Sequence, residues 1–390
     1  MKILIALTYY RPWVSGLTIY VERLAKALVA RGHQVTVLTS QYDRGLPREE
    51  IITGVRVRRA PVAFRVSKGV IMPTIGYEAT REVLAHDVLS LHLPQLDAAG
   101  IALRGRLLGR PTVLTYHCDL LLPKGAVNAV ANRVVDFANR MAGNLVDRVI
   151  AYTEDYAVHS PFLSRYLDKL EVIRPPVEVQ PRTPEQVAEF TRTRRQSAGP
   201  AIGMAARLAT EKGVEYLLGA LPRILDAHSQ AEVLFAGQHE NVLGEEHYAR
   251  RLAPLFEQYR RQWTFLGVLD PSDMSSFYSA CDVTVLPSVN STESFGLVQI
   301  ESMICGTPVV ASNLPGVRQP VRTTGMGEVV PLRDSDSLAT ALLRILEDPG
   351  AYAGNPGEVQ ARFSPDRCAE HYEALFTRLL AGKSTQVSDG

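Results

Sequence analysis

The sequence predicts an α/β protein made of two doubly wound, Rossmann-like domains in tandem. Three observations carry this. Apolar, β-branched runs alternate with helical patterns along the whole chain; a proline pair breaks the series near its middle; and 390 residues suit two domains of about 180 each.

In the first half the runs KILIALT, QVTVLTS, DVLSLH, PTVLTYH, DRVIAYT and LEVIRP read as parallel strands. Between the first two, Leu17 to Ala30 places Val21, Leu24, Ala25 and Leu28 on one helical stripe, and Arg31-Gly32 ends it where glycine takes a left-handed cap. Arg174-Pro175-Pro176 then interrupts the pattern, and Thr183 to Pro200 is polar. The first domain is therefore expected over 1–178 and the second over 179–364. The second carries AIGMAAR, AEVLFAG, WTFLG, CDVTVLP, TPVVAS and GEVVPL. A last helical pattern, Pro365 to Leu380, is expected to pack back on the first domain, with the polar tail after Lys383 frayed. In doubly wound sheets ligands lie beyond the carboxyl ends of the strands, so a cleft faced by the two domains is the default site.

Composition narrows the setting. No apolar run nears the roughly 18–20 residues of a membrane span. The N-terminal MKILIALTYYRPW lacks a small-residue cleavage site and reads as a first strand rather than a signal peptide. Cys118, Cys281, Cys305 and Cys368 have no metal-type spacing and suit a reducing cytosol. Residues 1–180 hold 23 Lys and Arg against 16 Asp and Glu; the rest hold 19 against 25. Arg56-Val-Arg58-Arg59, Arg65-Val-Ser-Lys68 and Arg104-Gly-Arg106 with Arg110 supply much of that excess. Such a basic half suits either peripheral contact with an anionic membrane or an ordinary solvated surface. Aromatic residues do not interleave with the clusters, which argues against nucleic acid.

The most informative stretch is ESFGLVQIESM, Glu293 to Met303. CDVTVLP is a strand, SVNSTES its exit loop and FGLVQIESMIC a helix closed by Gly306. Glu293 arrives just before the helix, whose first N–H groups, at Phe295, Gly296 and Leu297, form an anion site. Glu301 has Leu297, Val298, Ile304 and Cys305 as i±3 and i±4 neighbours and is expected on the inward face. A buried carboxylate needs donors, and the two hydroxyls of a ribose would serve. A sugar–diphosphate–nucleoside would then run from Glu293 to Glu301. The alternative is that Glu301 pairs with a core arginine and Glu293 belongs to a plain polar loop. Arg207 at the end of AIGMAAR and Lys212 before the helix VEYLLGAL emerge on one sheet edge, placed to neutralise a diphosphate.

The first half offers Pro12-Trp13-Val14-Ser15-Gly16, where a phosphate loop would lie, and His117 at a strand end. His117-Cys118-Asp119 has no second ligand cluster to make a metal site. His33 and His92 read as structural. Asp334-Ser-Asp336 imitates a metal–diphosphate pair, but Asp336 is better read as a helix cap. No Gly-x-Gly-x-x-Gly follows the first strand of either domain and no Walker loop occurs, which argues against a nicotinamide dehydrogenase.

These residues resemble glycosyltransferase family 4, whose members have the GT-B fold. Glu293-Ser-Phe-Gly-Leu-Val-Gln-Ile-Glu301 with Gly306-Thr-Pro-Val-Val-Ala-Ser matches its acid pair; Arg207 and Glu211-Lys212-Gly213 match its phosphate-binding pair; Arg31-Gly32-His33-Gln-Val-Thr-Val-Leu-Thr matches the end of its first helix and second strand. The resemblance implies retaining, metal-independent transfer of a hexose-type sugar from a UDP- or GDP-linked donor to a hydroxyl acceptor, lipid-linked or a surface-glycan precursor. No cofactor is implied. It implies sugar contacts by Glu293, backbone N–H groups from Phe295, Gly296 and Leu297, ribose binding by Glu301, diphosphate binding by Arg207 and Lys212 beside Gly213, and a base pocket at Val268 and Leu269. His117 would stand near the transferred sugar and Gly16 on a closing loop. Ser15-Gly16 replaces a glycine pair, Arg174-Pro175-Pro176 a Pro-Asn-Gly, and Asn313-Leu314-Pro315-Gly316 a double glycine. A nucleotide-sugar epimerase of the same fold, or a non-catalytic nucleotide-sugar-binding protein, would share these residues. The implied setting is cytoplasmic, with peripheral contact at the inner membrane face.

Overall fold

The computed structural model describes residues 1–66, 69–119 and 126–388. The chain forms two compact units: Met1–Pro176 together with the segment from Phe363 onward, and Val177–Arg362.

The first unit has ten strands: β1 (Lys2–Ala6), β2 (Gln34–Gln41), β3 (Glu49–Ile52), β4 (Val55–Pro61), β5 (Phe64–Val66), β6 (Gly69–Ile71), β7 (Val88–Leu93), β8 (Thr112–Tyr116), β9 (Arg148–Ala151) and β10 (Leu170–Val172). Eight form one sheet in the order β10-β9-β8-β7-β1-β2-β4-β3, parallel except for the β3–β4 pair; β5 and β6 make a separate antiparallel hairpin. All six predicted strands are present, and the order reverses between β1 and β7. Strands β3 to β6 were not anticipated. Arg56-Val-Arg58-Arg59, read as a basic cluster, is β4, with Val55 and Val57 inward and Arg59 only 1% exposed.

Ser15 caps the helix Gly16–Ala30, and Thr18 returns the bond, closing a capping box. Gly32, at φ +87°, takes the left-handed position expected after that helix. The C-terminal helix Pro365–Ser388 packs on the helix Gly16–Ala30. Tyr372 Oη lies 2.9 Å from Tyr20 Oη and 2.6 Å from Thr115 Oγ1, and Arg31 donates to Glu373 at 2.7 Å. The helix extends beyond the expected Leu380 and takes in most of the tail predicted to fray; Asp389 and Gly390 lie outside the described residues.

The second unit is a six-stranded parallel sheet of β11 (Ala201–Ala205), β12 (Glu232–Ala236), β13 (Trp263–Gly267), β14 (Val283–Leu286), β15 (Val309–Ser312) and β16 (Gly327–Val330). Its order, β13-β12-β11-β14-β15-β16, is doubly wound, with the switch point between β11 and β14. Each strand matches a predicted run. Two local readings need correction. The polar segment after Thr183 contains a helix, Pro184–Arg194, held by a Thr183–Gln186 capping box; it buries only Phe190, so its apolar periodicity is slight. The acid capping the helix Ser335–Glu347 is Asp334 rather than Asp336, because Asp334 has the extended backbone that lets its carboxylate accept from Ser337 N.

Candidate active site

The loops leaving β11 and β14, on either side of the switch point, are knitted together. The first, after β11, ends in the turn Thr210–Lys212 and then Gly213, which sits at φ +67°. A Cβ on Gly213 would lie 2.2 Å from the Pro287 carbonyl oxygen of the second loop, so only glycine permits the approach. Val289 N donates to Glu211 O at 3.0 Å. The closing link is ionic: Lys212 Nζ donates to Glu293 Oε2 at 2.6 Å, with both side chains partly buried. Arg207 lies on the same loop, more exposed, and donates to Glu211 Oε1 at 3.0 Å. Lys212 and the first acid of the expected site therefore meet beyond the carboxyl ends of β11 and β14, with Arg207 on the same loop as Lys212.

Gly296 caps the helix Leu297–Ile304 at φ +80°. Close ligand approach was the expected reason for glycine here, but the fold itself requires it: a Cβ would come within 2.3 Å of Leu286 Cδ2 and 2.7 Å of Gln299 Nε2. Gln299, fully buried, donates through Nε2 to the carbonyls of Phe295 and Val317, each at 2.9 Å, and so fixes the turn that presents the helix N-terminus. Gln299 was not singled out from the sequence, since its polar side chain lies in a run read only as an amphipathic helix.

Glu301 needs a correction. The buried face of this helix is Gln299, Ile300, Ser302 and Met303. Glu301 shares a half-buried rim with Leu297, Val298, Ile304 and Cys305. The helix rests on the sheet through the first set, and the rim lies beside the helix Pro271–Ser279, with Val298 and Cys305 packed on the cluster of Phe277, Tyr278 and Cys281. There Tyr278 Oη donates to Glu301 Oε2 at 3.0 Å. Leu269 packs on the neighbouring core, whereas Val268 is 77% exposed on the loop after β13.

In the first unit Gly16 begins its helix with no atom within 4 Å of a built Cβ, so packing does not demand glycine there. His117 follows β8, buried rather than open at a strand end. Its Nε2 lies 2.9 Å from His92 Nδ1, its Nδ1 bonds Tyr152 Oη, and His92 Nε2 lies 3.1 Å from Ser90 Oγ. His92, expected as a structural bystander, is the direct partner of His117. Burial lowers both imidazoles, His92 to about 3 and His117 well below its ordinary value, with His92 adding to the latter effect.

The basic clusters are largely consumed within the first unit. Arg58 donates to Glu78 at 2.8 Å and Arg56 to Glu49 at 2.7 Å, while Arg59 bonds the carbonyls of Pro47 and Arg11. Arg104 donates to Thr80 and Gly100, and Arg110 to the Leu84 carbonyl. Lys68 lies outside the described residues. Among the described residues no helix is long and apolar enough to cross a membrane, and no three His, Cys, Asp or Glu side chains gather as a metal site.

Two doubly wound units in one chain are the architecture of the GT-B fold. Residues 15–176 match the model of the glycosyl transferase 4-like domain, and residues 188–364 that of glycosyl transferases group 1. A D-inositol 3-phosphate glycosyltransferase of Acidothermus cellulolyticus is 30% identical, covering 96% of this chain and 88% of that one. Its counterpart in Corynebacterium jeikeium is 33% identical, covering 94% and 92%. The crystal structure of Anabaena HepE in complex with UDP-glucose superposes with a TM-score of 0.75 at 20% identity, covering 97% of this chain and 100% of that one. The chain belongs to the GT4-type glycosyltransferases of GT-B fold.

Proposed function

We propose that this glycosyltransferase is retaining and metal-independent, and moves a hexose from a UDP- or GDP-linked donor to a hydroxyl of a glycan or lipid-linked saccharide. The observation that carries the reading is the Lys212–Glu293 pair, which joins the two loops at the switch point of the second unit. A donor's diphosphate would take Lys212 and Arg207 as counter-charges, releasing Glu293 to accept hydroxyls of the sugar. The ribose would bond Glu301, whose partner Tyr278 keeps the carboxylate oriented. The fold shared with a UDP-glucose complex supports the donor class. During transfer the bond from C1 to the diphosphate breaks and a C1–oxygen bond to the acceptor forms on the same face. The acceptor's proton passes to the departing diphosphate. Charge then grows on the diphosphate, where the two cations stabilise it without a metal.

The test is to incubate the protein with UDP- and GDP-hexoses, with and without saccharide acceptors and with a chelator, and to read the product anomer by NMR. An unchanged anomeric configuration that survives chelation is expected. Inversion or metal dependence would overturn the mechanism. Sugar isomerised with no acceptor present would favour the epimerase, and nucleotide binding with neither reaction would favour a non-catalytic binder.

A further inference from the structure

Three aromatic rings gather where β1 and β2 end. Tyr9 and Trp13, on the segment after β1, stack with centroids 4.9 Å apart and planes 24° apart. Tyr42, the first residue after β2, meets both edge-on at 5.6 Å. Tyr9 rests on a small satellite core of Ala60, Val70 and Met72, so the stack is supported from inside. Outside it, Trp13 is 43% exposed, with Val14 and Phe64 exposed as well. An open indole at the carboxyl ends of parallel strands stands where such sheets take ligands.

The surrounding charges select what that ligand is. Arg11 donates to Glu22 at 2.8 Å. Arg59 pairs with Glu50 at 2.5 Å and with two backbone carbonyls. Arg65 donates to the carbonyl of Tyr42 itself. Arg11 and Arg59 are each matched by a carboxylate, and Arg65 spends one N–H on a backbone carbonyl, so among the described residues no cluster of cations is set aside for a phosphate beside the stack. The counter-charges that a nucleotide would use lie on the second unit. A pyranose needs none: it presents a flat face of C–H groups to the ring and a rim of neutral hydroxyls to water.

We infer that Tyr9, Trp13 and Tyr42 form the acceptor subsite, and that the acceptor is a neutral saccharide whose ring stacks on Trp13. This rests on the transferase reading above, and it departs from a phosphorylated acceptor.

The chain reports on the inference directly, because it has two tryptophans and the other, Trp263, is only 4% exposed. Neutral gluco-, manno- and galacto-oligosaccharides are titrated while intrinsic fluorescence is read, beside inositol phosphate and anionic vesicles. A saturable change with at least one neutral saccharide is expected. Trp13→Ala removes the fluorophore and with it the signal, so the variants are read by kinetics: Trp13→Ala should raise that acceptor's KM about tenfold, while Trp13→Phe keeps a KM nearer the parent's. The unchanged emission of Trp263 and an unchanged melting temperature confirm that the variants are folded. A response to none of the neutral saccharides, a response to inositol phosphate or vesicles alone, or a KM in Trp13→Ala within twofold of the parent would overturn the inference. UDP binding by the parent protein is measured separately; its loss would count against the transferase reading rather than against this subsite.

Discussion

Lys212 Nζ and Glu293 Oε2 lie 2.6 Å apart, although the residues are 81 positions apart in sequence. The contact joins the loops of adjacent strands β11 and β14, so it depends on the sheet order rather than on either loop alone. On the reading above, Lys212 serves the charge that develops on the diphosphate. Loss of one preorganised donor of this kind costs about 3 kcal/mol of barrier, or roughly a hundredfold in rate. Lys212→Ala should therefore lower kcat about a hundredfold with circular dichroism unchanged. Turnover within a few-fold of the parent would remove Lys212 from the chemistry.

Gly213 tests the scaffold beneath that pair. Its left-handed backbone and the Pro287 carbonyl 2.2 Å from a built Cβ leave no room for a side chain. Gly213→Ala is expected to lower unfolding stability by about 1–3 kcal/mol and to lower turnover too, since the shift would move Lys212. Urea unfolding gives the first quantity and a donor-turnover assay the second. A variant as stable as the parent would mean that the two loops are less tightly tied than their spacing indicates.

Glu301 and Tyr278 allow a graded test of ribose binding. Replacing Glu301 by Gln removes a charged acceptor, and replacing Tyr278 by Phe removes one donor that orients it. Calorimetric titration with UDP or GDP should show a loss of about tenfold or more for Glu301→Gln and a smaller loss, about fivefold, for Tyr278→Phe. Equal affinities across the three proteins would place the ribose elsewhere.

Arg59 is buried and paired with Glu50. Arg59→Ala would leave that carboxylate without its partner and two carbonyls without a donor. Because Glu50 is one-third exposed and can be hydrated, the loss should be about 1–3 kcal/mol, set by the two carbonyls left without a donor and measured by denaturant unfolding. A variant of full stability with altered vesicle binding would instead return this cluster to the surface role that its composition suggests.

Much of the architecture is legible in the chain because a buried parallel strand is a nearly unbroken apolar run. All twelve such runs are strands. Strands toward the end of the sheet are not legible in that way: β4, between β2 and the edge strand β3, alternates valine with arginine, and the arginines conceal it until their partners Glu49, Glu50, Glu78 and Glu82 are seen. The site divides along the same line. Lys212, Gly213, Glu293 and Gly296 occur in local patterns that mark them. The His92–His117 pair and the Tyr278–Glu301 bond arise from neighbours 25 and 23 positions apart, and no local pattern encodes such distances. Glu301 was placed on the inward face because helical spacing fixes which residues share a stripe; which stripe meets the sheet is decided by packing.

The chain Tyr152–His117–His92–Ser90 carries a pH dependence of defined sign. Both imidazoles are held neutral in the folded protein, His92 down to about 3. In the unfolded chain they titrate near the ordinary value of about 6.5. Above that pH both states are neutral and the stabilisation is fully present. Below it the unfolded state binds protons that the folded state refuses, so stability falls as pH drops, toward pH 3 for His92. Each such histidine adds up to about 1.4 kcal/mol per pH unit. Urea unfolding at pH 7.5, 6.5 and 5.5 should show a plateau followed by a decline, to which His33, His86 and His371, also lowered by burial, add, and which Asp97, raised by burial to about 6, partly offsets. His92→Asn should flatten the decline by the share of one proton. A decline in His92→Asn as steep as the parent's would mean that the His92 ring accepts its proton in place, and the buried relay would then not hold His117 neutral.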